Sequence, residues 1–332
     1  MSTHRAIVCK DNKGYKSLVF ESVQTPVPEG DEVLIEIEAA GMNYPDVLIT
    51  QGKYQFQPPY PFSPGGEFAG RVIARGDKAK KLNIGDRIVA LPGWGAFQEK
   101  AVISEDKCIK IPTSMPSLVA AGFLFTYGTS IHALKDRGQL KVGQTCLILG
   151  AAGGVGIAAI EISKALGATV IAAASTKEKL EVCKKFGADY VINYTEENLK
   201  NRVMEITKSV GVDVVYDAVG GSHAEPAIRS MAWRGRYLVI GFVGGIPKIP
   251  LNLTLLKGCS IVGVFWGSFT NREPQAFEDD VKTLVKWYEE KRIKPAPTQV
   301  FSLQEAPKAI GLLEDRKIMG KAVVVCDSKA KL

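Results

Sequence analysis

The feature that most constrains this chain is a run of glycines set between an apolar strand pattern and an apolar helix pattern. Thr145-Cys-Leu-Ile-Leu149 leads into Gly150-Ala-Ala-Gly153-Gly154-Val155-Gly156, and Ile157-Ala-Ala-Ile-Glu-Ile-Ser-Lys-Ala-Leu166 follows at once. Glycines let the backbone turn tightly and approach an anion closely, and the unpaired N–H groups of the following helix meet negative charge. The order predicts a dinucleotide-binding turn with Gly153, Gly154, Val155 and Gly156 against a pyrophosphate. The spacing departs from a strict G-x-G-x-x-G, so context carries the reading: a second apolar strand, 168–174, arrives where a βαβ unit needs it. The same residues would also make a tight strand-to-helix turn with no ligand.

Around that motif the rhythm is strand and helix in alternation. Strands are expected at 145–149, 168–174, 190–193, 212–217, 236–240 and 260–264, which describes a doubly wound parallel sheet. Before about Phe125 the pattern is short strands broken by Gly and Pro, as in Glu32-Val-Leu-Ile-Glu-Ile-Glu38, whose alternation predicts a half-buried antiparallel sheet. After Gly267 come a helix at 274–291, a strand near 299–301, a helix at 303–313 and a strand at 321–325. These last elements lack partners of their own and are expected to rejoin the first domain. The expected organisation is therefore 1–125 with 267–332 as one discontinuous domain and 126–266 as the other. A chain of 332 residues suits two domains, because single cores stop growing at about 250–300 residues.

The end of the second strand discriminates between dinucleotides. An NAD site would carry Asp or Glu there, but the chain reads Ala172-Ala-Ala174-Ser175-Thr176-Lys177-Glu178-Lys179. Hydroxyls at Ser175 and Thr176 can donate to a 2′-phosphate and Lys177 or Lys179 can neutralise it, so NADPH is expected. Ser175 with Glu178 also reads as a helix cap, and both readings can hold together.

Composition excludes several classes. Lys and Arg exceed Asp and Glu by 42 to 35, but the basic residues are scattered rather than gathered in a stripe, which argues against nucleic acid. Six dispersed cysteines make no C-x-x-C pair, which disfavours a disulfide scaffold or a four-cysteine metal site and suits a reducing, cytoplasmic compartment. The opening residues lack the apolar core of a signal peptide. The uncharged stretch from Val142 to Ile160 is interrupted by glycines, so no transmembrane segment is expected.

Taken together, several motifs resemble the zinc-free NADPH:quinone oxidoreductases of the medium-chain dehydrogenase/reductase superfamily, especially the quinone oxidoreductase-like proteins. They include Gly41-Met-Asn43-Tyr-Pro-Asp46, Gly52-Lys-Tyr54, Pro61-Phe-Ser-Pro64-Gly65-Gly66-Glu67-Phe-Ala-Gly70, Gly85-Asp86-Arg87, Val214-Val-Tyr-Asp217-Ala-Val-Gly220, Gly235-Arg-Tyr-Leu-Val-Ile-Gly241 and Gly320-Lys321. The likeness spans nearly the whole chain and implies an α/β fold: a GroES-like β-rich catalytic domain plus a Rossmann domain. In the zinc-dependent branch a Cys near Asn43 and a His before Glu67 hold the metal; here those places carry Asn43 and Gly66, and no metal is expected. Without a Lewis acid, acceptors that are already electrophilic are favoured, such as quinones and α,β-unsaturated carbonyls.

The resemblance also implies roles. Asn43, Asp46 and Tyr54 are expected at the cleft between domains, near nicotinamide and acceptor, with Tyr54 as a hydrogen-bond or proton donor and Asp46 ordering its turn. Thr126, Val155, Lys179, Tyr194, Phe242, Phe265, Arg316 and Lys321 are expected to contact cofactor, Lys179 and Tyr194 at the 2′-phosphate end. Relatives pair through the strand at 260–265, so a homodimer is expected. The runner-up is an enoyl-thioester reductase, which shares fold and cofactor; a non-catalytic NADPH sensor and a nucleic-acid binder are the readings from other classes.

Overall fold

The computed structural model describes residues 2–326. Contacts divide the chain into two units, Met1–Phe125 with Pro295–Leu332, and Thr126–Lys294.

The first unit carries β1 (Thr3–Val8) and β2 (Val19–Gln24) as an antiparallel pair. Its main sheet contains β3 (Glu32–Gly41), β4 (Glu67–Arg75), β5 (Arg87–Ala90), β6 (Lys100–Ser104), β7 (Cys108–Lys110), β14 (Pro297–Ser302) and β15 (Lys321–Val325). The order is β14-β15-β3-β4-β5-β7, with β6 also beside β3. The alternation read along β3 is only partly kept: Val33, Leu34 and Ile35 are buried in succession. The strand pairs with β4, β6 and β15 and lies at the centre of the sheet, so both of its faces are covered. Its core joins Ile35, Ile37, Phe68, Val72, Ile88 and Phe97 to Ile310 and Val324 from the chain's last stretch.

The second unit is built on β8 (Thr145–Leu149), β9 (Thr169–Ala174), β10 (Tyr190–Asn193), β11 (Val212–Asp217), β12 (Met231–Val239) and β13 (Ser260–Gly263). All are parallel, in the order β10-β9-β8-β11-β12-β13, so strand order reverses between β8 and β11. That switch point is where doubly wound sheets open a crevice for ligands. Nearly continuous apolar runs such as Cys146–Leu149 and Val170–Ala174 are fully buried, as strands covered on both faces must be.

The second domain boundary differs from the expected one. The helices Trp266–Arg272 and Pro274–Glu289 stay with the second unit, and the chain re-enters the first at Pro295. His132 stacks on Phe269 with ring centroids 3.8 Å apart, Lys135 Nζ meets Asp280 at 2.6 Å, and Lys294 N–H donates to Glu161 at 2.9 Å. Val281, Leu284 and Trp287 form the buried stripe of the longer helix. The periodicity announced a buried face but not its partner. The turn expected at Asp46 opens a short helix, Tyr44–Thr50, and a second short helix spans Asn252–Lys257. Among the described residues no helix is long and apolar enough to cross a membrane, and all six cysteines are free thiols.

Candidate functional site

In the first unit, strand register gathers residues that are far apart in sequence. Gly41 faces Glu67 across the β3–β4 pair and Val323 across the β3–β15 pair, and Met42 N–H donates to Ala322 O at 3.0 Å. Lys321, Asn43 and Glu67 therefore converge at the end of β3. The Lys321 ammonium donates to Glu67 Oε1 at 2.6 Å, Asn43 Oδ1 at 2.7 Å and Met42 O at 3.0 Å. Asn43 Nδ2 donates to the same Glu67 Oε1 at 2.9 Å, and Glu67 Oε2 accepts from Phe125 N–H at 3.0 Å. Each of the three ammonium protons has an acceptor, and the Asn43 amide is oriented from both ends, its oxygen toward the cation and its nitrogen toward the carboxylate. Glu67 is fully buried and Lys321 nearly so, so the pair lies in a low dielectric where neither charge could stand alone. Gly41 makes room for it: a Cβ there would lie 2.5 Å from Glu67 Oε1 and 2.1 Å from Ala121 O.

Asp46 closes the next turn. Its carboxylate accepts from Asn43 N–H at 2.7 Å, the reaching-back half of a capping box at the start of the helix Tyr44–Thr50. Burial pushes its pKa up to about 7, against the pull of that N–H, of Lys321 and of a Gly65 N–H. Below about pH 7 the protonated form of Asp46 is thus favoured in the folded chain. Its contribution to stability is full below the ordinary value of 3.8 and is lost as pH rises through about 7. Unfolding free energy is therefore expected to fall across this window, by up to about 1.4 kcal/mol per pH unit from this group. Asp46→Asn should flatten that slope in urea titrations; equal slopes in variant and wild type would refute the assignment. Tyr54 is half-buried against Cys9, Ile49 and Phe62. Burial, and then the negative charge of Asp46, raise its hydroxyl pKa, so it remains a proton-bearing donor at neutral pH.

In the second unit the remaining candidates other than Thr126 lie at or beyond the carboxyl ends of parallel strands. Gly153 begins the helix Gly154–Ala165, whose first-turn N–H groups have no intrahelical partner. A Cβ at Gly156 would lie 2.4 Å from Gly150 O and 2.7 Å from the Ala151 backbone, so glycine is what lets helix and loop close together. Val155 O accepts from Ser130 Oγ at 3.0 Å, and Ser130 in turn meets the Tyr216 hydroxyl at 3.0 Å. After β9, Lys179 Nζ lies 3.3 Å from Ser175 Oγ. The helix cap is Thr176, which accepts from Lys179 N–H, rather than Ser175. Tyr194 follows β10, its N–H on Ala174 O at 3.2 Å and its ring 4.2 Å from that of His223. Burial, partly offset by Asp217, lowers the His223 pKa. Phe242 and Phe265, after β12 and β13, are exposed, and Thr126 is buried in a π-helical turn.

Arg316 belongs to the first unit, exposed in the turn after the helix Ala306–Glu314. Sequence assigned no site role to Glu67 in the first unit, or to His223, Asp217 and Tyr237 in the second. Asp217 Oδ1 accepts from Val219 and Gly220 N–H at 2.7 and 2.8 Å, and its other oxygen accepts from the Tyr237 hydroxyl, which fixes the loop after β11. A carboxylate at the end of an apolar strand was the available signal for both Asp217 and Glu67.

The donors around Asn43 are amide, carboxylate and ammonium, with Gly66 where an imidazole would be required, and this set does not fit zinc. Among the described residues one group has metal-ligand spacing, His132, Asp136 and Asp280 in the second unit. The Lys135 ammonium already bridges both of its carboxylates, at 3.0 and 2.6 Å.

Residues 29–113 match the alcohol dehydrogenase GroES-like domain family, and residues 154–286 match the family described as zinc-binding dehydrogenase. Quinone oxidoreductase-like protein 2 of Bos taurus is 36% identical over 97% of this chain and 92% of its own length. The structure of Escherichia coli quinone oxidoreductase complexed with NADPH superposes with a TM-score of 0.90 at 28% identity, covering 98% of this chain and all of that one. The mycobacterial protein Rv1454c complexed with NADPH gives a TM-score of 0.90 at 30% identity, covering 97% of this chain and 99% of that one. With a β-rich unit, a doubly wound unit whose loops crowd the switch point, and relatives that match it end to end, the chain belongs to the quinone oxidoreductase-like branch of the medium-chain dehydrogenase/reductase superfamily.

Proposed function

We propose that the chain is a zinc-independent, NADPH-dependent reductase of quinones or other conjugated carbonyls. One observation carries the reading: the site around Asn43 offers hydrogen bonds and a buried ammonium but neither imidazole nor thiolate. Such a site cannot polarise an unactivated carbonyl as a metal would, whereas an acceptor that spreads incoming negative charge over its own oxygens needs only donors. NADPH, when bound, supplies the hydride. Gly153, Gly154, Val155 and Gly156 would hold its pyrophosphate, Ser175 and Lys179 its 2′-phosphate, and Tyr194, its ring tilted against that of His223, would meet the adenine end. Thr126, Phe242, Phe265, Arg316 and Lys321 remain proposed cofactor contacts, Lys321 with its ammonium engaged as described and a role in holding the Asn43 amide. Tyr54 donates a hydrogen bond or proton to the reduced oxygen, and Asp46 orders the turn that carries Asn43. The NADPH complexes of the E. coli and mycobacterial neighbours support the cofactor, and six free thiols support a reducing, cytoplasmic setting.

The test is a turnover screen of quinones, enones and enoyl thioesters with NADPH and NADH on protein assayed for zinc. Quinone or enone reduction without stoichiometric zinc is expected; turnover of the thioester alone would reverse the order of readings. NADPH should bind more tightly than NADH, and Lys179→Ala should narrow that gap by about tenfold through loss of a charge-assisted contact. Equal wild-type affinities would remove the 2′-phosphate assignment.

We also propose a homodimer paired through β13. It is the sheet's edge strand, with Ile261 exposed on it, and Trp233, Leu255 and Leu256 are exposed on neighbouring elements. Sedimentation should give twice the chain mass, and Ile261→Lys should give the single mass; a monomeric wild type would sink the proposal.

A further inference from the structure

We propose that His132, Asp136 and Asp280 form a site for one structural zinc ion in the second unit, which the ion takes in exchange for the Lys135 ammonium. The inference is independent of the reductase reading, since it assigns the ion no step in hydride transfer.

Asp280 is the residue that points to a ligand. It lies on the helix Pro274–Glu289 in the same buried stripe as Leu284 and Trp287, a place for apolar side chains, and only 1% of it is exposed. Lys135 Nζ donates to its Oδ1 at 2.6 Å, but Oδ2 is buried with no hydrogen-bond partner. A carboxylate oxygen left in that state is costly, and a bound cation is one of the few ways to satisfy it.

His132 and Asp136 supply the other ligands. They stand four residues apart in the π-helical turn His132–Arg137, with His132 Nδ1 2.9 Å from Asp136 Oδ2. Irregular helical turns of this kind recur at functional sites. His132 is itself buried, and its stacking on Phe269 holds the imidazole in place. One ligand atom from each of the three residues lies within 4.8 Å of the others. Around a tetrahedral zinc, ligand atoms sit about 3.4 Å apart, so small side-chain shifts gather them, and water takes the fourth position.

Charge decides the occupant. Asp136 and Asp280 bring two negative charges, and Lys135, at 3.0 and 2.6 Å, supplies one positive. A divalent ion balances both and meets the orphan oxygen that the ammonium leaves. The Lys135 side chain is 41% exposed, so its head can turn into solvent when the ion enters. An imidazole beside two carboxylates suits zinc better than magnesium or calcium, which take oxygen ligands.

The test titrates the metal-stripped full chain with zinc chloride by equilibrium dialysis, with thermal melting in parallel. Wild type should take up one zinc per chain, and its melting temperature should rise with zinc. His132→Gln and Asp280→Asn should each weaken uptake at least about tenfold, since even a lost supporting hydrogen bond costs a metal site that much. Lys135→Gln removes the competing cation and should tighten zinc by about three- to tenfold. Magnesium in about hundredfold excess should not displace the zinc. No uptake by the wild type, undiminished uptake in both ligand variants, or displacement by magnesium would each overturn the site. If the ligand variants melt far below wild type before zinc is added, Lys135→Gln decides: tighter binding sustains the proposal, and equal or weaker binding ends it. The turnover screen, repeated on Asp280→Asn, keeps the zinc-independent reading under a test of its own.

Discussion

Lys321→Met is expected to lower the unfolding free energy by about 3–5 kcal/mol, because it strands the fully buried Glu67 carboxylate without its cation. Most single substitutions cost far less, so the variant should be conspicuous in urea titrations. The double variant Lys321→Met/Glu67→Gln removes both charges and should regain a large share of that loss. The coupling energy from the cycle separates a stranded charge from lost packing. Turnover supplies the second readout: with Lys321 gone, one end of the Asn43 amide is unpinned, so kcat should fall in the double variant even where stability has returned. A single variant within about 1 kcal/mol of wild type would mean that the pair is not the buried unit described.

The second large effect concerns the nucleotide loop. Gly156→Ala sets a methyl carbon 2.4 Å from Gly150 O and 2.7 Å from Ala151 backbone atoms, and neither neighbour is a side chain that could swing away. The loop and helix must part, at a cost of about 1–3 kcal/mol in stability. A displacement of even an ångström in groups that must meet a phosphate is expected to weaken NADPH binding about 100-fold. Gly153→Ala is the control, since its new methyl would lie 3.4 Å from Gly150 O at an unstrained φ of −82°. It should melt like wild type whatever it does to affinity. Equal melting temperatures for wild type and Gly156→Ala would show that the loop is looser than its contacts imply.

Much of this architecture was legible before any coordinates. Short apolar runs bounded by polar or glycine-rich segments mark strands, so β8, β10, β11 and β15 begin and end where the pattern placed them. Turn chemistry was less exact: the cap before the helix Lys177–Lys185 lies one residue later than Ser175, because that hydroxyl is engaged by Lys179 Nζ and Thr176 takes the backbone donor. Strand β12 starts five residues before the expected Arg236, since its early part pairs with β11 through an irregular register that no periodicity reports.

What stayed hidden was long-range. Glu67 and Lys321 each resemble ordinary solvated charges, and only the sheet register brings them together. The helix Pro274–Glu289 showed its apolar stripe, but a stripe does not name its neighbour, and the domain boundary moved with it.

The late arrival of Lys321 has a bearing on biosynthesis. The second unit is one uninterrupted stretch and has all it requires once residue 294 clears the ribosome. The first cannot finish: Glu67 waits 254 residues for its counter-charge, and β3 for its neighbour β15. During translation the amino-terminal sheet is thus held unfinished, a stage at which chaperone binding or proteolysis would be most keenly felt.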